Sequence, residues 1–105
     1  MTRTAFTMQL TKGFEAEYKR RHDEIWPELS ALLAEDGVRE YYIYLDERSG
    51  TLFAFMKKEE SQLSAPLRQH PVMRKWWDYM KDIMETNADG SPVTRPLTEV
   101  FDFGL

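Results

Sequence analysis

The stretch "YKRRHDEIWPEL" (residues 18–29) holds His22, one of two histidines in the chain, five residues before Pro27. Imidazole is the side chain whose ordinary pKa of about 6.5 lets it give and take protons near neutrality. Tyr18 lies four residues earlier and shares its helical face. Pro27 has no amide hydrogen, and its ring collides with the carbonyl of Asp23, so the helix should kink or break between about His22 and Trp26. That puts His22 at the end of a first helical segment, where the carbonyl-rich terminus favours the charged, proton-donating imidazole. The neighbours on this face are apolar. A histidine on an apolar stripe is more often structural than catalytic, so the spacing alone leaves both roles open.

A second candidate group is Trp76–Trp77. Adjacent indoles point about 100° apart around a helix, so one can face the core while the other lines its edge. Both can be core residues, or they can form an aromatic wall with N–H donors, which suits the C–H faces and hydroxyls of a sugar. Tyr41 shares a strand face with Ile43 and Leu45 and can place a hydroxyl in the same cavity. His70 precedes Pro71 at a helix boundary and reads as a surface or cap residue. Neither histidine has a second histidine or an acidic cluster at ligand spacing, so no metal site is expected. "KRR" (19–21) is flanked by Glu15, Glu17, Asp23 and Glu24 and reads as a solvated, partly paired helix face.

Periodicity supplies the elements that hold these groups. "RTAFTMQL" (3–10) alternates as a strand. From 14 to 36, Phe14, Tyr18, His22, Ile25, Leu29 and Leu32 recur at helical steps, and Gly37 fits a left-handed cap. "VREYYIYLD" (38–46) and "TLFAFMK" (51–57), joined by "ERSG", predict a hairpin with Gly50 in the turn. Residues 61–84 predict a second helical region divided by Pro66 and Pro71, with a stripe of Met73, Trp76, Trp77, Met80, Ile83 and Met84. "TNADGSPVTRP" (86–96) predicts a loop, and "LTEVFDF" (97–103) a last strand. The order strand, helix, strand, strand, helix, strand is the α+β, ferredoxin-like split βαβ pattern, an antiparallel sheet with helices on one face. The hairpin is apolar on both faces, and one layer of helices covers only one of them. A second copy, packed sheet to sheet in a homodimer, would cover the other.

With 105 residues the chain predicts a single domain spanning 1–105. Its 42% apolar and 13% aromatic residues describe a globular composition. Against 14 basic residues stand 18 acidic ones, a net charge of −4, which argues against a nucleic-acid or anionic-membrane partner. Without cysteine there is no disulfide, thiolate site or cysteine nucleophile. The start "MTRTAFTMQL" lacks a signal-peptide run and no segment approaches a membrane span, so a cytoplasmic protein is expected.

The stretches "AFTMQL", "EYKRRHDEIWPEL", "YYIYLD", "LFAF", "WWDYM" and "SPVTRPLTEVF" together resemble the L-rhamnose mutarotase family, in order and nearly end to end, from about Thr4 to Phe101. The resemblance implies a cytoplasmic homodimer with the dimeric α+β-barrel form of the ferredoxin-like fold. It implies interconversion of the α and β anomers of L-rhamnose, with no cofactor. It also implies that His22 is the proton donor and that Tyr18, Tyr41, Trp76 and Trp77 bind sugar. The base is left open among a tyrosine hydroxyl, a water and His22 itself acting in sequence. Two rival readings stand beside it: a cofactor-free monooxygenase, which the same architecture also hosts, and a non-catalytic sugar-binding or interaction module.

Overall fold

The computed structural model describes residues 1–104; the last residue of the expected domain, Leu105, lies outside the described residues. Alternation over the first ten residues produces strand β1, Thr2–Gln9. The helical stripe that follows is cut in two, as α1, Glu15–Asp23, and α2, Pro27–Glu35. Pro27 therefore breaks the helix rather than bending it. The cause is local: the residue before a proline is pushed out of the helical region, and Trp26 is extended at φ −63°, ψ 134°. Pro27 then sits in the first turn of α2, where its missing N–H costs nothing. The Trp26 carbonyl accepts from the amides of Leu29 and Ser30, both at 3.0 Å, and restarts the ladder.

After α2, Gly37 turns the chain at φ +94°, and a Cβ there would lie 2.3 Å from the Glu59 carbonyl oxygen. Only glycine fits both the left-handed conformation and that approach. The hairpin follows as β2, Val38–Asp46, and β3, Thr51–Lys58, within one residue of the sequence expectation. A turn of 3₁₀ helix at Leu67–Gln69 leads into α3, Pro71–Met80. His70 caps α3: its Nδ1 accepts from the Val72 amide at 3.2 Å, the cap role read from its position before Pro71.

The sheet order is β2-β3-β1-β4 with every pair antiparallel, the arrangement expected of the split βαβ pattern. Register sorts the side chains into two faces. Tyr41, Ile43 and Leu45 stand opposite Met56, Ala54 and Leu52, and Thr4, Phe6 and Met8 continue the row across β1. This face meets the helices; Leu52 on it is fully buried, as are Leu29 and Ile83 of the same core. The other face carries Tyr42, Tyr44, Phe53 and Phe55. Tyr42, Tyr44 and Phe55 are exposed.

The last strand differs from expectation. Only Arg95–Pro96 forms β4, paired with Thr7 and Phe6. Residues 97–103 do not continue it. Pro96 has no N–H to give the ladder, and the Leu97 amide makes one more bond, to Ala5. Beyond that, the alternation of 97–103 finds no apolar layer in its own chain, and Val100, Phe101 and Phe103 are exposed.

Candidate functional site

Helix α1 offers two polar rings to the space between helices and sheet. Tyr18 and His22, one helical turn apart, stack with centroids 4.3 Å apart and planes inclined by 26°. Tyr18 is buried and His22 half-buried. From α3, Trp76 closes the third side, edge-on to the imidazole at 5.4 Å and 88°. Trp76 also meets Trp26 edge-on at 5.1 Å and Tyr79 at 5.7 Å, and Trp26 stacks on Tyr79. Tyr41, from the centre of β2, packs on the same core.

The sequence expectation that the helix end charges His22 is not met. The imidazole Nδ1 lies 3.1 Å from the Tyr18 carbonyl oxygen. A carbonyl only accepts, so Nδ1 carries the proton and Nε2 is the nitrogen left for a ligand. Burial lowers the imidazole pKa below its ordinary 6.5, more than the Tyr18 carbonyl and the Asp23 charge raise it. Desolvation outweighs the helix end because the ring is half-buried between Tyr18 and Trp76. At pH 7 the resting ring is neutral, with an open lone pair on Nε2.

The two tyrosines respond in the opposite sense. Burial pushes the Tyr41 hydroxyl up to about 12. It pushes Tyr18 further, and the Tyr41 phenol adds to that rise. Both therefore stay protonated and able to donate. An acceptor ring nitrogen beside protonated hydroxyls and an aromatic wall can move a proton on and off a polar, partly apolar molecule such as a sugar.

Of the five residues singled out in the sequence, Tyr18, His22 and Trp76 meet ring to ring, and Tyr41 packs on the same core. Trp77 is half-buried against the core and makes no ring contact with the other four among the described residues. Three participants escaped sequence reading. Trp26 and Tyr79 complete the aromatic cluster. Arg21, expected on a solvated face, is buried.

The family model described as L-rhamnose mutarotase matches residues 3–103. The chain belongs to the L-rhamnose mutarotase family. It is 58% identical over 99 residues to an L-rhamnose mutarotase of Brucella anthropi, covering 94% of this chain and 93% of that protein. It is 57% identical over 99 residues to one of Flavobacterium johnsoniae, covering 94% and 92%. The crystal structure of the L-rhamnose mutarotase of Formosa agariphila superposes with a TM-score of 0.93 at 48% identity, covering 99% of this chain and 100% of that one. A Mycobacterium tuberculosis structure at 14% identity and TM-score 0.58 shares the fold alone. For this mutarotase-family chain the α+β fold read from periodicity therefore stands on both topology and likeness.

Proposed function

We propose that this chain is an L-rhamnose mutarotase, exchanging the α and β anomers of the sugar, and that His22 transfers the proton. The reading rests on one observation above all. The histidine of the "RRHDEIWPEL" segment keeps Nε2 free by holding Nδ1 on the Tyr18 carbonyl, between a tyrosine and a tryptophan. Ring opening breaks the C1–O5 bond. The proton on the anomeric hydroxyl must leave, and the ring oxygen must gain one. Neutral Nε2 takes the first proton, and a tyrosine hydroxyl, Tyr18 or Tyr41, supplies the second. The aldehyde rotates about C1–C2, and reclosure on its other face returns both protons, so His22 acts as donor in the second half. No redox change and no covalent intermediate enter the cycle. Trp76 supplies the apolar wall for the 6-deoxy methyl side of the ring, with Trp77 flanking it.

The test is saturation-transfer NMR on L-rhamnose with catalytic protein. Exchange between the α and β C1 protons should be faster than in buffer, and tryptophan emission should change on adding the sugar. An unchanged exchange rate at micromolar protein would remove the reading.

The resemblance also carries a cytoplasmic homodimer. Its support here is the exposed aromatic row Tyr42, Tyr44 and Phe55 with the apolar tail Val100, Phe101 and Phe103 beside it. An apolar patch of this kind marks an association surface. The tail and β1 border a groove of about 640 Å³ lined by Arg3, Tyr42, Phe55, Lys57 and Phe101. Phe55→Glu should shift sedimentation of the protein from dimer to monomer. A parent that already sediments as a monomer at micromolar concentration would refute the dimer, and detection in a membrane or periplasmic fraction would refute the cytoplasmic setting.

A further inference from the structure

Helix α1 carries the two polar rings of the site, yet its backbone packs directly on no other helix or strand. Among the described residues no Cα of α1 comes within 8 Å of a Cα in another element. The break before Pro27 also denies it support from α2. Side chains must fix its place, and one does so across a long distance in sequence. The Arg21 guanidinium donates through Nη1 to the Tyr79 carbonyl at 2.6 Å and to Asp82 at 2.9 Å, and through Nη2 to the other Asp82 oxygen at 3.2 Å. Its Nε donates back to Glu17 at 2.7 Å. The Cζ lies 4.4 Å from the centroid of the Tyr79 ring.

Tyr79 stands in the last turn of α3, so the cation meets the negative end of that helix. The Tyr79 ring then abuts Trp76, which abuts His22, the residue next to Arg21. The chain of contacts closes on itself: Arg21, Tyr79, Trp76, His22. One planar fork thus ties the helix that carries the imidazole to the end of the helix that carries Trp76, a geometry lysine could not imitate.

We propose that Arg21 is a positioning residue for His22, its guanidinium locking the last turn of α1 to the end of α3 so that the imidazole keeps its seat between Tyr18 and Trp76. This deepens the mutarotase reading and depends on it. Without the fork, α1 shifts and Nε2 misses the anomeric hydroxyl, while Trp76 still offers its wall. The rate of exchange should fall with the Michaelis constant little changed.

The experiment uses the full chain with L-rhamnose, comparing parent, Arg21→Met, Arg21→Lys and Asp82→Asn. A misplacement on the order of 1 Å is worth about 100-fold in rate, so kcat for anomer exchange should fall roughly 10- to 100-fold in Arg21→Met. Arg21→Lys, which keeps the charge and loses the fork, should not restore it. The NMR titration midpoint of His22 should rise toward that of an exposed histidine as the ring loosens. Asp82→Asn leaves Arg21 in place at a solvent-facing carboxylate, so it tests the clamp even where Arg21→Met unfolds; it should give a smaller drop in kcat and the same direction of titration. Variants with parental kcat and a parental His22 midpoint, even if less stable to urea, would overturn the proposal and leave Arg21 a purely structural tie. Failure of the parent to exchange the anomers would overturn the mutarotase reading and this proposal with it, a result distinct from parental exchange in the variants.

Discussion

His22→Ala should lower anomer exchange of L-rhamnose by about 10²–10⁴-fold, the range that a positioned acid–base side chain supplies. The variant should stay folded, because the Tyr18 carbonyl that meets Nδ1 sits one helical turn back and keeps the ordinary backbone bond of α1. The pH dependence carries the same assignment with a definite sign. Burial places the His22 pKa below 6.5. If the first step needs neutral Nε2, exchange per protein molecule should be flat at and above neutrality and fall as pH drops through that lowered value. If it needed the imidazolium, exchange would instead fall as pH rises through it. Stability moves in parallel. Below 6.5 the unfolded chain takes up a proton that the folded ring resists, so this group costs stability as pH falls. Saturation-transfer NMR across pH 5–8 reads the rate, and His22→Ala, folded by circular dichroism, sets the baseline. A folded His22→Ala that exchanges anomers at the parental rate would end the assignment.

What could be read in the sequence was local. The hairpin could be placed within a residue because β2 and β3 are rich in strand-forming residues and a four-residue connection with Gly50 leaves little choice of register. The break before Pro27 follows from the proline and its predecessor alone. The pairing of Tyr18 with His22 follows from a spacing of four. Three features depend on distant chain and could not be read this way. Arg21 lies in a run of charges that looks solvated; the groups that bury it, Tyr79 and Asp82, are 58 and 61 residues away. The charge state of His22 differs from expectation for the same reason. The helix end is visible in sequence, whereas the Trp76 ring that excludes water arrives from α3. The strand expected at 97–103 failed because alternation reports a face to be buried and not what buries it. In one chain that face has only solvent, which makes the same residues the best support for a second copy.

The aromatic pair poses the sharper separation, since Trp76 serves the core and the candidate site at once. It is 6% exposed and meets His22, Trp26 and Tyr79. Trp76→Ala removes all three contacts and leaves a void, a change that costs about 3–5 kcal/mol. Set against a total stability of about 5–15 kcal/mol for a typical domain, this is among the most damaging single changes the chain can suffer. The urea midpoint should fall accordingly, and exchange should be lost with the fold. Trp76→Phe separates the two roles. It keeps a ring in the cluster, so the loss of stability should be much smaller, but it withdraws the indole N–H and part of the wall beside Nε2. If Trp76 lines the sugar site, Trp76→Phe will weaken L-rhamnose binding and slow exchange while remaining folded at the assay temperature. If Trp76→Phe binds and exchanges the sugar as the parent does, Trp76 is core alone and the wall must be sought at Trp77, which is half-buried at the edge of the same core.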